Sequence, residues 1–245
     1  MQAHLWAAGS TVGWQALPMT DATPFDTLTS LLDERWTCRQ FLPEQVPQPD
    51  IERLLALAQR TPSWCNTQPW QVVVASGEAT DRLRKALAEH VMSQPQDPDF
   101  AFPTAYTGVF RDRRRECGFQ LYDSVGITKD DADRRLEQML RNFDLFDAPH
   151  VAILTTEDDL GVYGAVDCGL WISTFLLGAQ ALGLAAAPQA ALAGYPGFLR
   201  EHFGLPEHRL VVAGISFGYA DTDHPVNGFR TSRAALDDVV TWADA

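Results

Sequence analysis

The chain has 245 residues, 46% of them hydrophobic and 21% charged, with a formal net charge of −13. That length and composition suit a single large globular domain with a substantial core. So acidic a chain offers no basic face to nucleic acid or an anionic membrane, and an anionic cofactor would have to be met by arginines gathered locally.

Residues 1–24 read as an N-terminal extension, and residues 25–245 as one domain. Met1–Leu17 lacks a basic n-region and a continuous apolar core, so no signal peptide is indicated. The first predicted helix is Asp26–Trp36, with Leu28, Leu31, Leu32 and Arg35 at helical spacing. It delivers Arg35, Thr37 and Arg39 to one end. Guanidinium forks and a hydroxyl suit a phosphate, although this segment alone is better explained as solvated surface arginines. Asp50 is expected to cap a second helix whose Ile51, Leu54, Leu55 and Ala58 form one buried face.

The next stretch, Thr61-Pro62-Ser63-Trp64-Cys65-Asn66-Thr67-Gln68-Pro69-Trp70, runs straight into Gln71-Val72-Val73-Val74. It joins a periodic helix to a β-branched run, the kind of sheet-edge connection where binding residues concentrate. Two prolines stiffen it, and Ser63, Asn66, Thr67 and Gln68 crowd donors and acceptors between two indoles. A rigid polar edge framed by aromatics suits a flat heteroaromatic ring. An ordered loop that satisfies its own backbone explains the same residues.

The strand Gln71–Ser76 closes at Gly77, and Thr80 or Asp81 opens a helix with Leu83, Leu87 and Val91 inward. Ser93–Thr107 is expected to be a long loop. In Phe110–Tyr122, the run Arg111–Glu116 reads as the solvated face of a helix. Leu136, Met139, Leu140 and Phe143 mark an amphipathic helix, and Val151–Thr155 a short buried strand. Gly161–Gly183 is apolar on every side and long enough to cross a bilayer, but Asp167, Ser173, Thr174 and Gln180 interrupt it and no basic flanks anchor it. It is therefore expected in a large core or between subunits, with Phe175 and Leu176 as contact residues. Ala185–Pro188 reads as a strand end or turn, Pro196–Phe203 as a short helix and Leu210–Ile215 as the last core strand.

Cys38, Cys65, Cys117 and Cys168 form no CxxC, which fits reduced thiols in a cytoplasmic enzyme. The six histidines show no metal-binding spacing, so no metal is expected. No GxGxxG or Walker loop is present, so a phosphorylated cofactor would depend on Arg35, Arg39, Arg230 and Arg233. Gly214-Ile215-Ser216-Phe217-Gly218 matches the G-x-S-x-G of serine hydrolases, but turn residues follow where that elbow needs a helix. A hydrolase using Ser216 remains the remote alternative.

Arg35-Trp36-Thr37-Cys38-Arg39-Gln40-Phe41, the Pro62-Ser63 to Gln68-Pro69-Trp70 block and the late Phe229-Arg230-Thr231-Ser232-Arg233 come in an order and spacing that resemble the flavin-dependent nitroreductase family. The resemblance spans roughly Asp26 to the C-terminus. It implies an α+β fold, with a mixed, mainly antiparallel sheet flanked by helices, in an intertwined homodimer with two composite FMN sites. By position Arg35, Thr37, Arg39 and Arg233 would hold the phosphate and ribityl chain, with Trp36 among them and Arg230 either a second ligand or a surface residue. Pro62, Ser63, Trp64 and Asn66 would approach the flavin ring from the partner, and Pro188, Gln189 and Ala190 would form a turn beneath it. Trp64 and Tyr122 would line the acceptor pocket. Trp36 stands where a basic or smaller residue is common. The implied activity is ping-pong transfer of hydride from NAD(P)H through FMN to a nitroaromatic or related electron-poor aromatic acceptor, with no side chain as obligatory acid or base. Dehalogenases and desaturases on the same scaffold, and a non-catalytic flavin module, are the alternatives.

Overall fold

A computed structural model describes residues 22–243, so most of the N-terminal extension lies outside the described residues. Helix α1, Pro24–Glu34, starts earlier than its periodicity suggests because Thr23 and Asp26 close a capping box: Asp26 N donates to Thr23 Oγ1 at 3.1 Å, and Thr23 N to Asp26 Oδ2 at 3.0 Å. It ends at Glu34, which leaves Arg35 to Phe41 outside any helix. Helix α2, Gln48–Ala58, follows Pro47, whose fixed φ begins it. Asp50 lies within its first turn, paired with Arg53 at 2.9 Å, and is not the cap.

Strand β1, Gln71–Ser76, turns at Gly77 (φ 54) into α3, Glu78–Val91. That positive φ, cheap only for glycine, reverses the chain and starts the helix before Thr80. Thr80 is instead buried, its hydroxyl donating to the Pro149 carbonyl at 3.0 Å. Helices α4, Gly108–Ser124, and α5, Ala132–Leu140, follow the expected long loop. Leu136 and Met139 on α5 are exposed, while Phe143 just beyond it is buried. Then come β2 (His150–Glu157), α6 (Gly161–Ala181), β3 (Ala185–Gln189), α7 (Pro196–Phe203) and β4 (Arg209–Gly218).

The sheet has the order β1-β2-β4-β3, every pair antiparallel. A single parallel bridge, Thr37 to Ala186, lays the segment after α1 along the outside of β3. The period-2 alternation of β2 serves both faces. Ala152 and Leu154 meet α2 and α6, whereas Val151 and Ile153 meet α3 and α7. The result is an α+β sandwich with helices on both sides of an antiparallel sheet.

Helix α6 is a core helix on one side only. Cys168, Trp171, Phe175 and Ala179 pack inward with α2 and the sheet. Gly178 is needed at the α2 crossing, where a Cβ would come within 2.8 Å of Leu54 and Leu57. Phe175, expected at a subunit contact, is fully buried in the chain's own core, and Leu176 packs against the same cluster. The outward face carries Val162, Val166 and Leu170 instead.

Candidate functional site

Arg35 to Phe41 forms a strap beside β3. Cys38 N donates to Ala186 O at 3.2 Å and Leu42 N to Tyr219 O at 2.9 Å. Extended backbone sends alternate side chains to opposite sides. Arg35, Thr37 and Arg39 are accordingly only partly buried, while Cys38 between them is fully buried. Burial pushes the Cys38 thiol up to about 11, so it stays protonated. Asn227 pins the strap to the C-terminal segment. Its Oδ1 accepts from Arg39 N at 2.8 Å, and its Nδ2 donates to Gln40 O at 2.8 Å and Asp221 O at 2.7 Å. Nothing in the sequence near Asn227 marks it out.

The strap gathers positive charge without neutralising it. Burial first, and then the Arg233 guanidinium, lower the pKa of Arg35. Burial likewise lowers that of Arg39, whose guanidinium sits 5.4 Å from the Phe229 ring centre and donates to Thr37 O at 3.2 Å. Arg233 donates to Thr231 Oγ1 at 2.9 Å and to nearby carbonyls. Among the described residues none of Arg35, Arg39, Arg230 and Arg233 has a carboxylate within 4.0 Å, whereas Arg84, Arg141, Arg200 and Arg209 each do. Arginines without a carboxylate partner, the charge of Arg233 acting on Arg35, in a chain of net charge −13, fit a bound phosphate.

Arg230 has a different place. Its guanidinium lies 4.2 Å from the Trp36 ring centre and donates to Asn227 O at 2.7 Å. The Trp36 ring lines a separate cavity with Leu42, Gln180, Leu184 and Tyr219, and its buried Nε1 has no partner among the described residues. Trp36 and Arg230 therefore brace each other.

Pro188 and Gln189, expected in a turn, instead end strand β3 opposite Ile215 and Gly214, because β4 pairs with them, and Ala190 opens the short helix that follows. The Gln189 side chain is buried, with Nε2 donating to Asn142 O at 2.7 Å and Oε1 accepting from Ser216 Oγ at 2.6 Å. The Gln189 side chain is thus engaged internally and does not face a ligand on the strap side. Ser216 lies mid-strand in β4, fully buried and opposite Val151 and Ala187. It is not on a nucleophile elbow, and the hydrolase alternative fails on geometry.

The Pro62–Asn66 loop divides its labour. Ser63 Oγ accepts from Gln68 N at 2.9 Å, and Gln59 links Gln68 to the Trp70 indole, so part of the polar set does satisfy the loop itself. Pro62, Trp64 and Asn66 face outward, with Trp64 59% exposed and its ring edge-on to Tyr163 at 4.6 Å. Cys65, Asn66 and Gln68 hold φ values of 50, 57 and 49°, strained for side-chain-bearing residues. Asp167, buried on α6, anchors this geometry by accepting from Trp64 N at 3.0 Å. Its signal was visible in sequence as the lone acidic residue in the apolar helix. Tyr122 is half-buried on α4, and no aromatic contact or hydrogen bond joins it to Trp64 among the described residues.

The two halves do not meet within one chain. The loop leads into β1 at one edge of the sheet, and the strap lies outside β3 at the other. At about 4.8 Å per strand, the four steps between them span roughly 19 Å. One half offers cations and a hydroxyl, and the other an indole and an amide edge.

The Nitroreductase family profile matches residues 32–219. Nitroreductase NfnB of Mycolicibacterium smegmatis is 36% identical over 214 residues, covering 87% of this chain and 91% of the relative. A 4-nitrobenzoate reductase of Nocardioides sp. is 31% identical over 240 residues, covering 94% and 96%. The crystal structure of FMN-dependent NfnB from Mycobacterium smegmatis in complex with NADPH superposes with a TM-score of 0.85 at 35% identity, covering 89% of this chain and 98% of that one. The strap, the stiffened loop and the antiparallel sheet between them thus occur in a sequence matched over most of its length, and the chain belongs to the nitroreductase family.

Proposed function

We propose that the protein is an FMN-dependent oxidoreductase that uses NAD(P)H to reduce nitroaromatic or related electron-poor aromatic compounds. The observation that carries this reading is the set Arg35, Arg39 and Arg233, none with a carboxylate within 4.0 Å among the described residues, with the Arg233 charge acting on Arg35. FMN, when bound, supplies the hydride relay between nicotinamide and acceptor. Arg35, Thr37, Arg39 and Arg233 hold its phosphate and ribityl chain, while Arg230 and Trp36 brace the strap. The backbone of Pro188–Ala190 underlies the ring, with the Gln189 side chain held away from it. No side chain acts as an obligatory acid or base.

Residues 25–245 act as one unit, and two copies make the site. Strap and loop lie at opposite sheet edges, so Pro62, Ser63, Trp64 and Asn66 of one protomer serve the strap of its partner. Trp64 and Tyr122 line the acceptor pocket. Four unpaired cysteines support a reducing, cytoplasmic setting. The test is a flavin assay followed by initial rates. Purified protein should be yellow, release FMN on heating and consume NAD(P)H with a nitroarene, giving parallel double-reciprocal plots. A colourless protein that takes up no added FMN overturns the reading, and intersecting plots overturn alternate occupancy of one pocket.

A further inference from the structure

Arg39 also walls one end of a cavity of about 610 Å³, within the range of small-ligand pockets. The rest of its wall comes from the turn between α4 and α5, from α5 and from the 224–226 turn. Ile127 and Val226, both buried, give an apolar floor. The polar groups around it are mostly donors. Arg134 donates two of its N–H groups to Gly126 O at 2.8 Å and Val125 O at 2.9 Å and keeps the others. His224 Nδ1 accepts from Val226 N at 3.2 Å, so the neutral ring carries its proton on Nε2, a further donor. Arg141 is neutralised by Asp144 and Asp147 and adds little net charge. Glu137 is the opposing charge on the rim.

We propose that this cavity binds the oxyanion group of an aromatic redox partner, with Arg134 and the His224 ring as its donors. The class of ligand is an aryl carboxylate acceptor, or by the same chemistry the phosphate of a phosphorylated nicotinamide donor. The proposal rests on the oxidoreductase reading, because Arg39 in the cavity wall is also assigned to the flavin anchor. It deepens that reading by assigning selectivity among acceptors to residues outside the anchor.

The test uses the full chain as purified. Calorimetric titration with benzoate and with benzamide measures charge recognition without turnover. Benzoate should bind about 10-fold tighter or more, as expected for a charge-assisted contact. R134Q should abolish that preference, R134K should keep part of it, and E137Q should increase it several-fold. E137Q leaves the Arg134 bonds to the α4 end intact, so it reports even if R134Q folds poorly. Parallel kinetics compare 4-nitrobenzoate with 4-nitrobenzamide and NADPH with NADH. An R134Q loss confined to 4-nitrobenzoate assigns the site to the acceptor, and a loss confined to NADPH assigns it to the donor phosphate. A benzoate preference that is absent, or unmoved by both R134Q and E137Q, overturns the proposal. Charge-dependent benzoate binding by a protein that takes up no flavin would leave the pocket standing and reject the oxidoreductase reading. Normal flavin turnover without charge dependence would do the reverse.

Discussion

Individual side chains on the strap carry the largest expected effects. The Arg233 charge lowers the pKa of Arg35, so a phosphate bound by both would gain charge-assisted bonds from each. Each such bond contributes roughly 1.5–3 kcal/mol, so Arg35→Ala or Arg233→Ala should weaken FMN binding by about 10- to 200-fold. Fluorescence titration of the apoprotein measures it. His150 carries a different prediction. Its Nε2 accepts from Val46 N at 2.9 Å, so the buried ring is neutral and Nδ1 faces Ser76 Oγ at 2.8 Å. Burial pushes its pKa down to about 4 from 6.5. Between these values the unfolded chain is protonated and the folded one is not, so stability falls as pH drops from about 6.5 toward 4. The loss approaches roughly 3 kcal/mol. Urea midpoints at pH 7 and 4.5 should show it, and His150→Gln should remove the His150 part of that slope. An unchanged slope in the variant would place the acid sensitivity elsewhere.

At the scale of elements, the strap and the loop are each held by one buried polar residue from a distant part of the chain. Asn227 makes three hydrogen bonds that keep Arg39 and Gln40 in register against β3. Asn227→Ala strands a buried N–H and carbonyl groups, at a cost of about 1–3 kcal/mol. It should also weaken FMN binding although Asn227 is not among the anchor residues, and a Tm shift with unchanged FMN affinity would limit its role to folding. Asp167 does the corresponding work for the loop. It holds Trp64 N–H while Cys65 and Asn66 stay at positive φ.

The whole molecule shows what a single chain leaves unfinished. Helix α1 has no buried residue, and its Phe25, Leu28 and Leu32 share an exposed face. Val162, Val166 and Leu170 on α6 and the Trp64 indole are exposed as well. Monomers rarely leave so much apolar surface open, and obligate interfaces bury roughly 2,000 Å² or more. Leu170→Glu, on the outward face, should therefore yield monomers that have lost FMN while retaining their helix content by circular dichroism. Phe175→Glu should unfold the chain instead, since that ring is fully buried beside Trp171 and Phe217. A Leu170→Glu dimer that keeps its flavin in light scattering would defeat the composite site.

Local signals made much of this legible in the sequence alone. The period of Ile51, Leu54 and Ala58, the β-branched run at Val72–Val74 and the proline at Pro196 each act through neighbours a few residues away, and each element formed, α2 alone starting ahead of its expected Asp50 cap. The motif order from Arg35 to Arg233 likewise sufficed to indicate the family. What required the tertiary structure was every choice between equivalent local answers. Helix α6 is apolar all round, so no periodicity told which face turns inward, and packing against α2 placed Phe175 in the core and Leu170 outside. Arg230 and Arg233 are three residues apart with the same chemistry, yet only the folded chain stacks one on Trp36 and turns the other back on Thr231. The separation of strap from loop follows from strand order, a pairing over long sequence distances that no local pattern encodes.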